Sequence, residues 1–264
     1  MCFDVDSQPP VQPLLGSDAQ GADITLTSAD GAQFAAYAAR ADSAAASGAG
    51  IVILPDVRGL YQFYKDLALR FAEAGVSAVA IDYFARTAGL TPRDDAFEFM
   101  PHVQQTRFEQ ISADVASAVA YLRSQRGADG KAPTSIFTVG FCFGGALSFN
   151  QAANKLGLAG VIGFYGRPTR RPATAGLSDT PGPIDLVSQF ECPVLGLFGG
   201  TDQGIPVEQA NQFDQALTAA GVKHEIVIYP GAPHSFFDRK QAEFAKEAAD
   251  AWNRSLAFIR ENTR

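Results

Sequence analysis

Short apolar runs alternate with amphipathic stretches over most of the chain. The runs lie at residues 50–55, 76–82, 135–141, 157–166, 192–200 and 224–230. Between them, apolar residues recur every three or four positions, as in QFYKDLALRFAEAG and EQISADVASAVAYLRSQ, which is typical of helices with one buried face. Continuous apolar strands joined by such helices predict an α/β fold, a mostly parallel sheet with helices on both faces.

The N-terminal part of the chain has a different pattern. ADITLTSADGAQFAAYAAR alternates between apolar and polar residues on both sides of Asp30-Gly31, which predicts an antiparallel hairpin at one edge of the sheet. Residues 1–22 offer few core-forming positions, and we expect them to form a poorly ordered arm. Residues 23–264 are then expected to form a single domain.

Two polar segments interrupt the alternation of strands and helices. Residues 84–102 contain two arginines, and residues 167–190 contain four prolines and three arginines. Because long loops inside a compact domain usually serve a site, both are expected to lie near the functional end of the sheet. In open α/β sheets that end is formed by the carboxyl ends of the strands.

Composition narrows the possible partners. The net charge of −7 gives no electrostatic reason to expect binding to nucleic acid or to an anionic membrane surface. The first residues, MCFDVDSQPPVQPLL, are acidic and interrupted by proline, unlike a signal peptide. Cys2, Cys142 and Cys192 match neither a disulfide framework nor zinc-binding spacing. We therefore expect a soluble, cytoplasmic protein that needs no metal and no cofactor.

One cysteine stands where a strand is expected to turn into a helix. Residues 140–144 read Gly-Phe-Cys-Phe-Gly, which is the nucleophile-elbow pattern with Cys142 in the place of serine. The flanking glycines remove side chains that would collide in a tight turn, and the helix dipole favours a thiolate at this position. The alternative is a buried structural thiol, since cysteine packs well as a small apolar residue.

Two further residues favour the catalytic interpretation. Asp202 follows the run at 192–200, and His234 follows the next strand, in the order nucleophile, acid, histidine of α/β-hydrolases. Taken alone, Asp202 could cap the helix that starts near Pro206, and His234 could be an ordinary loop residue. All three, each after its own strand, predict a triad in which His234 transfers the proton of Cys142 and Asp202 orients the imidazole.

Other strand ends offer supporting groups. The backbone N–H groups of Phe143 and Val57 are predicted to stabilise the oxyanion that forms during acyl transfer. Asp56 could control the charge of the thiol, or it could cap a helix or pair with Arg58. Arg86 could bind a substrate carboxylate through two hydrogen bonds, or it could be a surface residue.

The segments ILPDVRGL, AIDYFAR, GFCFGGA, GTDQGIP and GAPHSF together resemble the dienelactone hydrolase family of α/β-hydrolases, from about residue 24 to the C-terminus. The resemblance implies a Cys–His–Asp triad, matched by Cys142, His234 and Asp202. It also implies an acid that contacts the resting thiol, matched by Asp56, and an arginine that binds the carboxylate of the dienelactone, matched by Arg86.

The chain departs from the family pattern in two places. The acid near the thiol is usually glutamate, and here it is Asp56. A second carboxylate-binding arginine normally follows the histidine by four residues; that place is taken by Asp238, and Arg239 comes one residue later. We expect a cofactor-free cysteine hydrolase of a small anionic lactone or ester. Two alternatives stay open, an esterase for a neutral substrate with structural arginines and a non-catalytic small-molecule binder.

Overall fold

The computed structural model describes residues 7–41, 45–127, 130–170 and 180–264, and it contains one eight-stranded sheet. The strands are β1 (Gln20–Thr27), β2 (Gln33–Arg40), β3 (Ala49–Leu54), β4 (Val76–Ile81), β5 (Ser135–Phe141), β6 (Gly160–Phe164), β7 (Val194–Gly199) and β8 (His224–Tyr229). They are arranged in the order β1-β2-β4-β3-β5-β6-β7-β8. All six apolar runs thus form strands, and the alternating N-terminal segment forms the hairpin.

The pairing confirms a mostly parallel sheet with an antiparallel hairpin at one edge. β1 pairs with β2 and β2 with β4 in antiparallel fashion, whereas every pair from β4 to β8 is parallel. β1 begins at Gln20, inside the arm predicted for residues 1–22, because Gln20 pairs with Arg40 across the hairpin. Residues 1–6 lie outside the described residues.

Helices cover both faces of the sheet. They are α1 (Gln62–Glu73), α2 (Ala85–Ala88), α3 (Phe99–Val103), α4 (Phe108–Ser124), α5 (Phe143–Gln151), α6 (Val207–Ala219) and α7 (Ala245–Asn262). On β3, Ile51 and Ile53 belong to a core cluster that includes α1 and α7, whereas Val52 and Leu54 belong to a second cluster that includes α4. Alternate residues of a strand point to opposite faces, so these clusters cover the two sides of the sheet.

The two polar segments are more ordered than the sequence indicates. Residues 84–102 contain α2 and most of α3 rather than only loop. Arg93, within this segment, makes a buried ion pair of 2.8 Å with Asp82, directly after β4. In the second segment, Pro183–Gln189 form a 3-10 helix, and residues 171–179 lie outside the described residues.

Strand order determines which residues can meet at the carboxyl edge. β3, β5, β6, β7 and β8 are successive neighbours and run in the same direction. The residues that directly follow these strands therefore lie side by side. Within the described residues, no helix combines the length and apolar composition that a membrane crossing requires.

Candidate active site

Cys142 occupies a strained turn between β5 and α5. Its backbone has φ 55° and ψ −110°, a conformation that non-glycine residues rarely adopt. Its N–H donates to the carbonyl oxygen of Phe164 on β6, at 3.0 Å. A Cβ atom at Gly140 would overlap the backbone of Gly144, so a turn this tight requires glycine there. These features are those of a nucleophile elbow.

The first turn of α5 packs against the chain that leaves β3. A Cβ atom at Gly144 would overlap the carbonyl oxygens of Leu54 and Pro55. This close approach places the backbone of Phe143 beside the turn that contains Val57. The two N–H groups predicted to form the oxyanion hole thus belong to segments in direct contact, and their role stays a prediction.

His234 and Asp202, which sequence reasoning paired, are joined by a hydrogen bond of 2.6 Å between Nδ1 and Oδ2. The Asp202 side chain is 1% exposed and that of His234 is 31% exposed. The other oxygen of Asp202 accepts the N–H groups of Gly204 at 2.8 Å and Ile205 at 3.0 Å. Asp202 does not cap α6, whose N-cap residue is Pro206 without a side-chain hydrogen bond; it binds the turn before that helix and the imidazole, and its role in a triad stays a prediction.

The loops after β7 and β8 meet through backbone contacts. Thr201 N–H donates to the carbonyl oxygen of Ala232 at 3.0 Å, and a Cβ atom at Gly199 would collide with the carbonyl groups of Ala232 and Pro233. The loop carrying His234 is thereby held against the end of β7. Because Nδ1 faces Asp202, Nε2 is the nitrogen that can exchange a proton with a thiol.

Asp56, directly after β3, is fully buried. Its Oδ1 accepts the N–H of Arg58 at 2.8 Å, and its own N–H donates to the Tyr64 hydroxyl at 3.1 Å. The Arg58 guanidinium stacks on the Tyr61 ring, 4.5 Å from its centroid, and the effect of Asp56 on the thiol stays a prediction.

Tyr83 links the surroundings of Asp56 to those of Cys142. Its hydroxyl donates to the carbonyl oxygen of Pro55 at 2.8 Å. Burial raises the pKa of Tyr83 well above its usual range, and the charges of Asp56, Asp82 and Cys142 add to the effect. The Tyr83 ring lies 5.5 Å, centroid to centroid, from the ring of Phe143, the residue after Cys142, so Tyr83 contacts both turns.

The two candidate substrate-binding arginines lie in different surroundings. Nε and Nη2 of Arg86 each donate to Asp30 at 3.0 Å, and Nη1 and Nη2 donate to Asp114 at 2.7 and 2.8 Å. The hydrogen bond to Asp114 raises the pKa of Arg86 above its usual value. This geometry favours a structural role for Arg86 over binding of a substrate carboxylate. Arg239 is exposed, five residues after His234.

Sequence reasoning missed one residue of the site and gave no role to another. The Tyr165 hydroxyl donates to Oδ2 of Asp238 at 2.7 Å, and the Tyr165 ring lies 4.8 Å from the ring of His234, centroid to centroid. Tyr165 directly follows β6, between the strands that carry Cys142 and Asp202. Its position at the end of a strand was the sequence feature by which Tyr165 could have been found. Asp238 was noted only as a departure from a family pattern.

Strained backbone concentrates at this edge of the sheet. Within the described ranges, the non-glycine residues with positive φ are Cys142, Lys155, Tyr165 and Ser235. Three of the four either are site residues or adjoin His234. Strain of this kind persists where the surrounding structure enforces it, and it is common at active sites. The described residues contain no cluster of three or more His, Cys, Asp or Glu that could hold a metal ion.

Comparison with known proteins identifies relatives across most of the chain. The model of the dienelactone hydrolase family matches residues 34–263. An Escherichia coli (strain K12) protein named "Putative carboxymethylenebutenolidase" is 30% identical over 250 residues, which cover 92% of this chain and 88% of that protein. A protein of the same name from Methylorubrum extorquens is 29% identical over 214 residues, 80% of this chain and 71% of that protein.

Solved structures share the fold. The crystal structure of a "Putative Dienelactone Hydrolase" from Klebsiella pneumoniae superposes with a TM-score of 0.77 at 25% identity, covering 91% of this chain and 98% of that one. A dienelactone hydrolase-like promiscuous phosphotriesterase from metagenomic libraries superposes with a TM-score of 0.75 at 19% identity, covering 94% of this chain and 100% of that one. At that identity the second likeness concerns the fold alone.

The strained backbone of Cys142 predicts that, at this position, a glycine variant is more stable than an alanine variant. Glycine adopts positive φ without steric cost, so Cys142→Gly should be more stable than Cys142→Ala by about 1 kcal/mol. Urea unfolding of both variants measures the difference. The matched control is Cys192, whose φ is not positive, and there the alanine variant should be the more stable. An alanine variant more stable than glycine at position 142 would show that the turn is not strained.

Proposed function

The chain belongs to the dienelactone hydrolase family and is a hydrolase, and from that premise we propose that its substrate is a lactone or carboxylic ester. In this proposal Cys142 is the nucleophile, His234 transfers protons and Asp202 orients His234. The observation that carries it is the hydrogen bond of 2.6 Å between buried Asp202 and His234, which follow strands at the same edge of the sheet as a cysteine in a strained elbow. The name of the curated relatives supports including lactones among the substrates to test.

The reaction begins when Nε2 of His234 takes the proton of the Cys142 thiol, and the resulting thiolate attacks the carbonyl carbon. A C–S bond forms, and the carbonyl electron pair moves onto oxygen, where the N–H groups of Phe143 and Val57 stabilise the negative charge. Collapse of this intermediate breaks the bond to the leaving oxygen, which takes a proton from Nε2 of His234. The product of this half-reaction is an acyl-enzyme with a thioester at Cys142.

The second half-reaction releases the acid. His234 Nε2 removes a proton from water, and the hydroxide attacks the thioester carbonyl. The C–S bond then breaks, so that the carboxylic acid departs and the thiolate is restored. Throughout, Asp202 stabilises the imidazolium form of His234. Asp56 has a separate role in this proposal, in which its buried carboxylate modulates the charge of the resting thiol.

The charge of the substrate separates two candidate functions. The expectation of an anionic substrate depended on Arg86 and Arg239. Because the Arg86 guanidinium donates four hydrogen bonds to Asp30 and Asp114, we favour the alternative, an esterase or lactonase for an uncharged substrate. The cytoplasmic location expected from the sequence stays a prediction.

Replacement of the proposed triad should remove activity. With p-nitrophenyl butyrate, Cys142→Ala and His234→Ala should each lower kcat/KM by about 10⁴-fold or more, and Asp202→Asn by about 10³-fold. The matched control is His224→Ala, since His224 lies at the start of β8 and bonds to the carbonyl oxygen of Val222. A His234→Ala variant with the activity of wild type would exclude the proposed triad, and a wild type inactive on all esters and lactones would favour the non-catalytic binder.

Substrate charge is tested with two esters that have the same acyl length. We expect p-nitrophenyl butyrate to be hydrolysed with at least about tenfold higher kcat/KM than the p-nitrophenyl hemiester of succinic acid, a difference of about 1.4 kcal/mol. The double variant Arg86→Gln with Asp114→Asn removes the buried ion pair without leaving a buried charge alone, since Asp30, which also loses its partner, is 43% exposed. Its selectivity should stay within twofold of wild type. Preference for the hemiester in wild type, lost in the double variant, would restore Arg86 as the carboxylate clamp.

A further inference from the structure

Tyr165 is a buried tyrosine held in an unfavourable backbone conformation. Its φ is 37° and its side chain is inaccessible to solvent, although positive φ is costly for a bulky residue. Its N–H still donates to the carbonyl oxygen of Leu197 on β7, at 2.7 Å. The backbone is therefore fixed by the sheet while the unusual φ determines where the ring points.

The hydroxyl end of Tyr165 is fixed by the loop that carries His234. It donates to Oδ2 of Asp238 at 2.7 Å, and Oδ1 of Asp238 accepts the N–H of Arg239. Asp238 is 1% exposed. Because buried polar groups are costly without partners, the phenol and the carboxyl group stabilise each other. The ring of Tyr165 is thus held at its backbone end by β7 and at its hydroxyl end by Asp238.

The ring of Tyr165 supports the imidazole of His234. The two ring centroids are 4.8 Å apart, with 53° between the planes. Asp202 holds His234 at Nδ1, at 2.6 Å, and that contact by itself does not set the tilt of the ring. About a third of the His234 side chain faces solvent, and the Tyr165 ring packs against the remainder.

We propose that Tyr165, anchored by Asp238, is a positioning residue that holds the imidazole of His234 in the orientation needed for proton transfer with Cys142. The proposal rests on the proposed function, in which His234 exchanges a proton with that thiol. Asp202 sets which nitrogen faces the thiol, and Tyr165 sets the tilt of the ring. A displacement of about 1 Å in such a group can cost on the order of 10²-fold in rate.

The charge state of Asp238 determines which substitutions are conservative. Burial raises the pKa of Asp238 well above its usual range; the Tyr165 hydrogen bond and His234 oppose this shift, and Asp56 adds to it. The carboxyl group therefore keeps its proton to higher pH than an exposed aspartate does. Asparagine has the same shape and no charge. Its oxygen can accept the Arg239 N–H while its NH2 group donates to the Tyr165 hydroxyl, so it should replace Asp238 better than leucine, which can form neither bond.

Steady-state kinetics with p-nitrophenyl butyrate test the positioning role. Tyr165→Phe keeps the ring and loses its anchor, and Asp238→Leu loses the acceptor. Each should lower kcat by about 10-fold to 100-fold with KM within twofold, and Asp238→Asn should stay within about threefold of wild type. The matched control is Tyr229→Phe, which loses a comparable hydrogen bond of 2.8 Å to Asp250 on α7 and should keep wild-type kcat.

A second readout needs no ester. The rate at which iodoacetamide alkylates Cys142 is followed against pH by mass spectrometry of the Cys142 peptide, in variants whose urea midpoint confirms folding. In Tyr165→Phe the half-maximal pH should move toward that of His234→Ala, whereas Tyr229→Phe should match wild type. If wild type hydrolyses no ester, the proposed function fails while this profile still tests the positioning.

Two results would overturn the inference. One is a Tyr165→Phe variant with wild-type kcat and a wild-type alkylation profile. The other is a loss of kcat in Tyr229→Phe as large as that in Tyr165→Phe. This result would mean that any hydrogen bond lost near the loop that carries His234 lowers kcat by making the structure less rigid. If Asp238→Leu does not fold, Tyr165→Phe and Asp238→Asn carry the test.

Discussion

The carboxylate of Asp202 is buried beyond the end of β7, and its charge must be compensated there. The positions of the other groups of the site follow from the contacts that compensate it. Asp202 meets this requirement with the N–H groups of Gly204 and Ile205 on one oxygen and the imidazole of His234 on the other. Because an unpaired buried charge is strongly unfavourable, the loops after β7 and β8 are bound to each other. The same bond that stabilises the fold therefore orients the imidazole.

Asp202, Asp56 and Asp238 are buried at this edge of the sheet, and each is accommodated differently. Asp202 is paired with His234, and Asp56 accepts a backbone N–H within its own turn. For Asp238, burial raises the pKa above its usual range, and the Tyr165 hydroxyl donates to its Oδ2. The guanidinium groups of Arg86 and Arg93 are bound to Asp114 and Asp82. The proposal of an uncharged acyl group at the thiol rests on this arrangement.

Sequence patterns predicted the features that depend on residues close together in the chain, namely the strands and the residues that follow each strand. Each apolar run became a strand, and Cys142, Asp202 and His234 each follow their own strand, so strand order alone brought the last two together. Contacts between distant segments could not be read in this way. Asp30 and Asp114 stand 56 and 28 residues from Arg86, and Asp238 stands 73 residues from Tyr165. Those pairings depend on how distant segments pack together in the fold. The pairing of Tyr165 also depends on its positive φ angle, which no sequence pattern indicates.

The central claim is that catalysis proceeds through a thioester at Cys142. Mass spectrometry of protein quenched in acid during turnover of p-nitrophenyl butyrate tests it most directly. We predict one butyryl group on the Cys142 peptide, lost again once the substrate is consumed, and complete loss of turnover after alkylation of Cys142 at a 1:1 ratio. A butyryl group on a different residue, or undiminished turnover by the alkylated protein, would contradict the account.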